Sequence, residues 1–160
     1  MLVAVCTLVV LFSAVVSLRE RGDFSPGEEL VSPGVKDIAV SQEDTMYPTA
    51  DTLRFDGGAE AVYVYLRIEN FAPYGDLEAR VGRTSKTSAL GRLLGGDGGL
   101  VVVDEGEDRL AVTDGRATGV VKFAVRPASG GRLPAGNYTV TVYAARENSV
   151  LARKYFVVGA

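Results

Sequence analysis

The stretch Ala61-Val62-Tyr63-Val64-Tyr65-Leu66-Arg67-Ile68-Glu69-Asn70 places an aliphatic side chain at every second position. Successive side chains of an extended chain point to opposite faces, so Val62, Val64, Leu66 and Ile68 share one face. Tyr63, Tyr65, Arg67 and Glu69 share the other. A period of two over ten residues is a strand with one apolar and one wet face. The same alternation recurs outward from this segment, at 120–126 and at 138–143. Shorter runs of the same kind lie at 38–40, 53–55, 77–81, 100–103, 110–112 and 151–158, separated by Gly, Pro, Asp and Asn. That makes about nine short strands. Past residue 18 no segment carries a sustained helical stripe. A one-sided sheet must bury its apolar face on something, and here only a second sheet is on offer. The expected fold is all-β, a two-sheet antiparallel sandwich over residues 35–160.

Composition bounds the chemistry. A chain of 160 residues has room for one domain of this kind, and 47% hydrophobic with 23% charged residues is a globular balance. The net charge of −3, with basic residues scattered, argues against nucleic acid as a partner, which requires a basic face. There is no histidine and no tryptophan, and Cys6 is the sole cysteine. Cys/His zinc sites, disulfides within the body and Ser-His or Cys-His nucleophile pairs are thereby excluded. Acid–base work would fall to carboxylates, Lys or Tyr. A catalytic pair such as Glu69 with Asp76 is the least favoured option. The expectation is a non-enzyme with no cofactor and no metal.

Residues 2–18 form an uncharged run in which eleven side chains are Leu, Val or Phe. As a helix it would span roughly 25 Å, near the lower limit for crossing a bilayer. Insertion of so many aliphatic residues is favoured by roughly 3–7 kcal/mol. Residues 1–18 are therefore expected to be a signal-anchor helix, making the membrane itself a partner. A cleaved signal with Val15 and Ser17 before the cut, giving a secreted body, is the alternative. A lipoprotein signal at Cys6 and a pilin leader fit poorly. Arg19 and Arg21 follow the run, which taken alone favours a cytoplasmic C-terminal side. The extracytoplasmic placement expected here assumes basic residues upstream of Met1. The Gly-, Pro- and acid-rich residues 19–34 are expected to be a flexible linker.

The last third of the chain carries a recognisable phrase. Leu133-Pro134-Ala135-Gly136-Asn137-Tyr138 opens the strand at 138–143, a short turn follows near Glu147-Asn148-Ser149, and Phe156-Val157-Val158 closes the last strand. This resembles the closing hairpin of immunoglobulin-like and fibronectin-type-III-like domains of bacterial membrane-anchored extracytoplasmic proteins. Thr52-Leu53-Arg54-Phe55 and an Asn-Phe turn after the 61–70 strand fit the same picture. The resemblance implies an immunoglobulin-like sandwich in which Tyr138 is a tyrosine corner, its hydroxyl bonded to backbone a few residues upstream. The cysteines and core tryptophan of antibody-type domains are missing. So shared a fold licenses no particular function.

Binding, if any, is expected at Tyr63, Tyr65, Phe71 and Tyr74, grouped on or beside one strand, with Tyr143 and Tyr155 adding to an outer face. Exposed aromatic rings stack on glycans or anchor protein partners, although ordinary cross-strand pairing on a half-buried sheet is the favoured explanation of such rings. The acidic stretch 104–108 with Asp114 lacks the spacing of a dedicated calcium loop and is expected to be a hairpin turn. Gly-rich 91–99 lacks the Gly-Lys-Ser/Thr of a phosphate loop and is expected to be a plain loop. Asn137-Tyr138-Thr139 matches a glycosylation acceptor by coincidence. The functional expectation is a membrane-tethered extracytoplasmic interaction module that meets an envelope protein or glycan. The alternative is a structural accessory subunit docking through a sheet edge.

Overall fold

The computed structural model describes residues 25–72, 75–84, 101–104 and 106–159. The hydrophobic leader and the Gly-rich 91–99 stretch lie outside the described residues. Among those described, no helix is long and apolar enough to cross a membrane.

Among the described residues, ten strands form two five-stranded sheets. The first sheet runs β10 (Ser149–Val158), β9 (Gly136–Ala144), β5 (Leu77–Thr84), all antiparallel. Along the outer edge of β10 lie β1 (Gly27–Leu30), antiparallel, and β3 (Arg54–Phe55), parallel. The second sheet runs β2 (Val35–Ser41), β4 (Val62–Phe71), β8 (Arg116–Pro127). On the far edge of β8 lie β6 (Val101–Val103) and β7 (Glu107–Thr113).

The alternation of β4 puts Val62, Val64, Leu66 and Ile68 wholly inside, opposite Val121, Phe123 and Val125 of β8. The other sheet contributes Tyr138, Val140 and Val142 from β9 and Ala152, Phe156 and Val158 from β10. Phe156 stacks on Tyr138 with centroids 5.1 Å apart and meets Phe55 edge-on at 5.6 Å. Burial of this interdigitated layer is the main term holding the sheets together.

Several expectations change at the margins. The stretch read as a linker over 19–34 is part of the sandwich from Gly27 onward, because the β1 backbone hydrogen-bonds to residues 152–155. Its side chains are mostly exposed, so no hydrophobic pattern announced it. Asn70-Phe71 is not a turn: β4 runs on through a bulge, with Asn70 at φ 51° and Phe71 paired with Ala117. The acidic 104–108 stretch is not a hairpin turn either. Strands β6 and β7 follow one another along the same edge of β8, and past β6 the Asp104 N–H donates to Ala124 C=O. The real hairpin turn is Asp114-Gly115, whose φ values of 51° and 71° suit a tight connection between twisted strands.

The edge of β2 is closed by side chains. Lys154 points inward from β10 and is 1% exposed. Its Nζ donates to Ile38 C=O at 2.6 Å, to Asp51 Oδ2 at 2.6 Å and to Glu28 Oε2 at 3.3 Å. Asp51 Oδ1 in turn accepts the Val40 N–H at 2.8 Å, and Thr52 N–H donates to Val40 C=O. The three donors of the ammonium are thus all used, and Ile38 C=O and both backbone groups of Val40 are satisfied without a second strand on that edge.

Candidate functional site

The outward-facing residues of β4 divide along the strand. Tyr65 has the outward parity expected of it, yet it is fully buried. The segment 42–52 folds across this face of the sheet. Tyr65 Oη donates to Glu43 C=O at 2.5 Å and accepts the Thr45 N–H at 3.0 Å. Tyr47 packs edge-on against the Tyr65 ring with centroids 6.0 Å apart, and its hydroxyl donates to Asp37 Oδ2. The Arg67 guanidinium sits 5.7 Å from the Tyr47 centroid. Tyr65 is therefore no part of an exposed binding surface. Two polar partners and a neighbouring ring hold it as a structural post.

Burial and the bond to Asp37 push the Tyr47 phenol well above its ordinary value of 10.0, and burial likewise raises Tyr138. The neutral Tyr47 is thus favoured in the folded state. Its contribution is complete below pH about 10, where an unfolded tyrosine is protonated, and is lost as pH rises toward the higher folded value. In an alkaline absorbance titration of the folded chain, Tyr47 and Tyr138 are expected to ionise later than free tyrosine. Tyr47→Phe is expected to shrink the late phase and flatten the alkaline loss of stability. Ionisation of all tyrosines at the free value would contradict this packing.

Phe71 lies at the far end of β4 and is 7% exposed. It plugs the sandwich against Gly34, where a Cβ would come within 2.8 Å of the Phe71 ring. Tyr74 lies outside the described residues. Tyr143 and Tyr155 occupy the outer face of the opposite sheet: the Arg80 guanidinium covers Tyr143 at 4.6 Å, and Tyr155 donates to Glu29 at 3.4 Å. The proposed group of Tyr63, Tyr65 and Phe71 does not assemble into one exposed cluster. Tyr138 donates from its hydroxyl to Pro134 C=O, four residues upstream, while its ring is wholly inside. Asn137 stands at the start of β9, paired with Thr84 and Val157. Glu69 is ion-paired with Lys36 at 3.9 Å. Among the described residues no group of three or more His, Cys, Asp or Glu side chains is placed to hold a metal ion.

Tyr63 is different. Its cross-strand neighbours are small, Ser41 on β2 and Ala124 on β8, and the residue is half-buried. Lys122 Nζ stands 5.5 Å from its centroid and bridges Asp44 at 2.6 Å and Glu107 at 2.8 Å. The hydrogen bond from Lys122 holds the Asp44 carboxyl below the usual range.

This ring lines a cleft of about 810 Å³ at the end of the sandwich where β10 finishes. Two loops wall it, 56–61 between β3 and β4 and 128–135 between β8 and β9. Leu133 N–H joins them by donating to Ala59 C=O at 2.7 Å. Asp56, Glu60, Arg126, Arg132 and Gln42 supply its charged and amide groups. Arg126 reaches Asp104 at 3.2 Å. Glycines 57, 58, 130 and 131 leave backbone bare along both walls. At Gly58, Gly130 and Gly131 φ is 127°, 74° and 84°, values that side chains other than glycine's rarely allow. Of the cleft residues, sequence reading singled out Tyr63 alone. The Gly-Gly pairs at 57–58 and 130–131 were the available signal for two tight, exposed loops. Comparison with protein-family models, curated proteins and solved structures finds no match to this chain.

Proposed function

We propose that the chain is an immunoglobulin-like interaction module, tethered to the membrane through residues 2–18, that binds an envelope component in the cleft beside Tyr63. The immunoglobulin-like reading is supported by strand order. Strands β2, β4, β8 and β6/β7 match the A-B-E-D sheet of such domains, and β5, β9 and β10 match C-F-G. The chain also crosses between sheets after β2 to run parallel with the last strand, as β3 does. The observation that carries the binding role is the cleft: an aromatic ring and several charged and amide groups in one lining, at a volume usual for ligand sites.

The tether is compatible with this placement. β1 starts opposite Tyr155, so the chain enters the sandwich at the end that bears the cleft. The six residues 19–24 reach at most roughly 20 Å when extended. A membrane-held domain would keep the cleft close to the bilayer surface. The second reading, an accessory subunit docking by strand addition, draws on the outer edge of β5, which pairs with no strand among the described residues.

Photo-crosslinking in native membranes tests both. A crosslinker at position 132 is expected to capture an envelope component that one at position 143 does not. Capture from β5 alone would favour the accessory subunit. Capture from neither site, or a C-terminal topology reporter active only in the cytoplasm, would overturn the proposal.

A further inference from the structure

We infer that the Tyr63 cleft takes a neutral saccharide; this rests on the cleft being the binding site. The argument begins with its charge. Asp56 and Glu60 line it together with Arg126 and Arg132, and Arg126 is already paired with Asp104 at 3.2 Å. An anionic ligand such as a phosphate would have to compete with Asp104 for Arg126 and would face the Asp56 and Glu60 carboxylates. A cationic one would meet both guanidiniums. Charges of both signs are interleaved in the lining, so the site offers no single-sign field to select a charged ligand.

Hydrogen-bond capacity then narrows the class. Carboxylates only accept, guanidiniums only donate, and Gln42 does both. The bare backbone at Gly57, Gly58 and Gly131 adds N–H and C=O groups along both walls, while the Gly130 N–H is already donated to Pro127 C=O. A ligand that satisfies such a wall must donate and accept repeatedly over a short distance. Vicinal hydroxyls do so, each being donor and acceptor together. The C–H faces of a sugar ring need an apolar surface, and Tyr63 provides one, with the Lys122 ammonium 5.5 Å from its centroid. The cleft is open on one side, which suits a chain that continues past the bound rings.

The test uses the full chain in a detergent without a sugar headgroup. Maltotetraose, cellotetraose, mannotetraose and chitotetraose are each presented, and binding is read by saturation-transfer NMR. At least one is expected to bind with a dissociation constant of about 0.1–1 mM. Glu60→Gln, Arg132→Ala and Tyr63→Ala are each expected to weaken it roughly tenfold, the loss of one good polar or stacking contact. Glu60 and Arg132 are exposed and outside the core, so those two variants keep the fold. Tyr143→Ala, on the opposite sheet, is expected to leave binding unchanged. Failure of all four sugars to bind, binding indifferent to the cleft variants, or inorganic phosphate displacing the bound sugar would each overturn the inference. A cleft that crosslinks an envelope protein yet ignores all four sugars would sink the saccharide and leave the interaction module standing.

Discussion

Lys154→Ala is expected to lower the unfolding free energy by about 3 kcal/mol, at the low end of the 3–5 kcal/mol typical when one partner of a buried ion pair is removed. The lysine is 1% exposed, and its ammonium is the donor for Ile38 C=O and for the Asp51 carboxylate. Removing it strands a buried carbonyl, a loss of about 1–3 kcal/mol by itself. It also leaves an aliphatic stem's worth of space at the seam between the sheets. The figure stays at the low end because the Asp51 side chain is 38% exposed and water can take over part of its solvation. Lys154→Met keeps the stem and loses the charge, so it is expected to fall between wild type and alanine. Urea denaturation of the three proteins reads this directly. For a domain of this size a loss of about 3 kcal/mol also lowers the melting temperature by roughly 10 °C. A loss under about 1 kcal/mol for alanine would mean that the amine is not the plug described here.

Gly119→Ala is expected to destabilise by about 2–4 kcal/mol without touching any ligand surface. Gly119 sits inside β8 at φ 150°, between Ile68 of β4 and Leu110 of β7. A Cβ there would lie 2.2 Å from the Arg109 carbonyl oxygen and 3.1 Å from the Leu110 Cα. The obstructing atoms are backbone, so no rotamer change relieves them. The β7 edge must move away, and its pairing with β8 weakens. Hydrogen exchange is expected to quicken at 107–113 before it quickens in β4. Equal stability of variant and wild type would show that β7 does not approach β8 this closely.

These two positions mark where sequence reading stopped. Lys154 has the same parity as Ala152, Phe156 and Val158, so the alternation itself points it inward. A charged residue on an inward register reads as an exception, and its partners come from positions 28, 38 and 51, more than a hundred residues upstream. Gly119 reads as a strand weakener until the neighbour that needs its missing Cβ is known. Tyr65 shows the converse case. Its outward parity was legible, but its burial depends on the segment 42–52 crossing the sheet, and nothing in the local pattern of β4 encodes that crossing. Strand β1 escaped because Gly-Glu-Glu-Leu contributes backbone hydrogen bonds rather than apolar side chains.

The cleft follows the same logic. Tyr63 was visible as an aromatic on the wet side of a strand. Asp56, Glu60, Arg126 and Arg132 become a site only when two loops some seventy residues apart are tied together at Ala59 and Leu133. Parity and composition, both local properties, were enough to determine the two-layer all-β architecture, the inward rows of β4, β8 and β9, and the chemistry ruled out by the lack of histidine. Which edges are capped, which tyrosine is covered and which polar side chains converge were decided by tertiary structure alone. The physical reason is that a strand's alternation assigns each side chain to a face, whereas what then covers that face is set by chain segments far away in sequence.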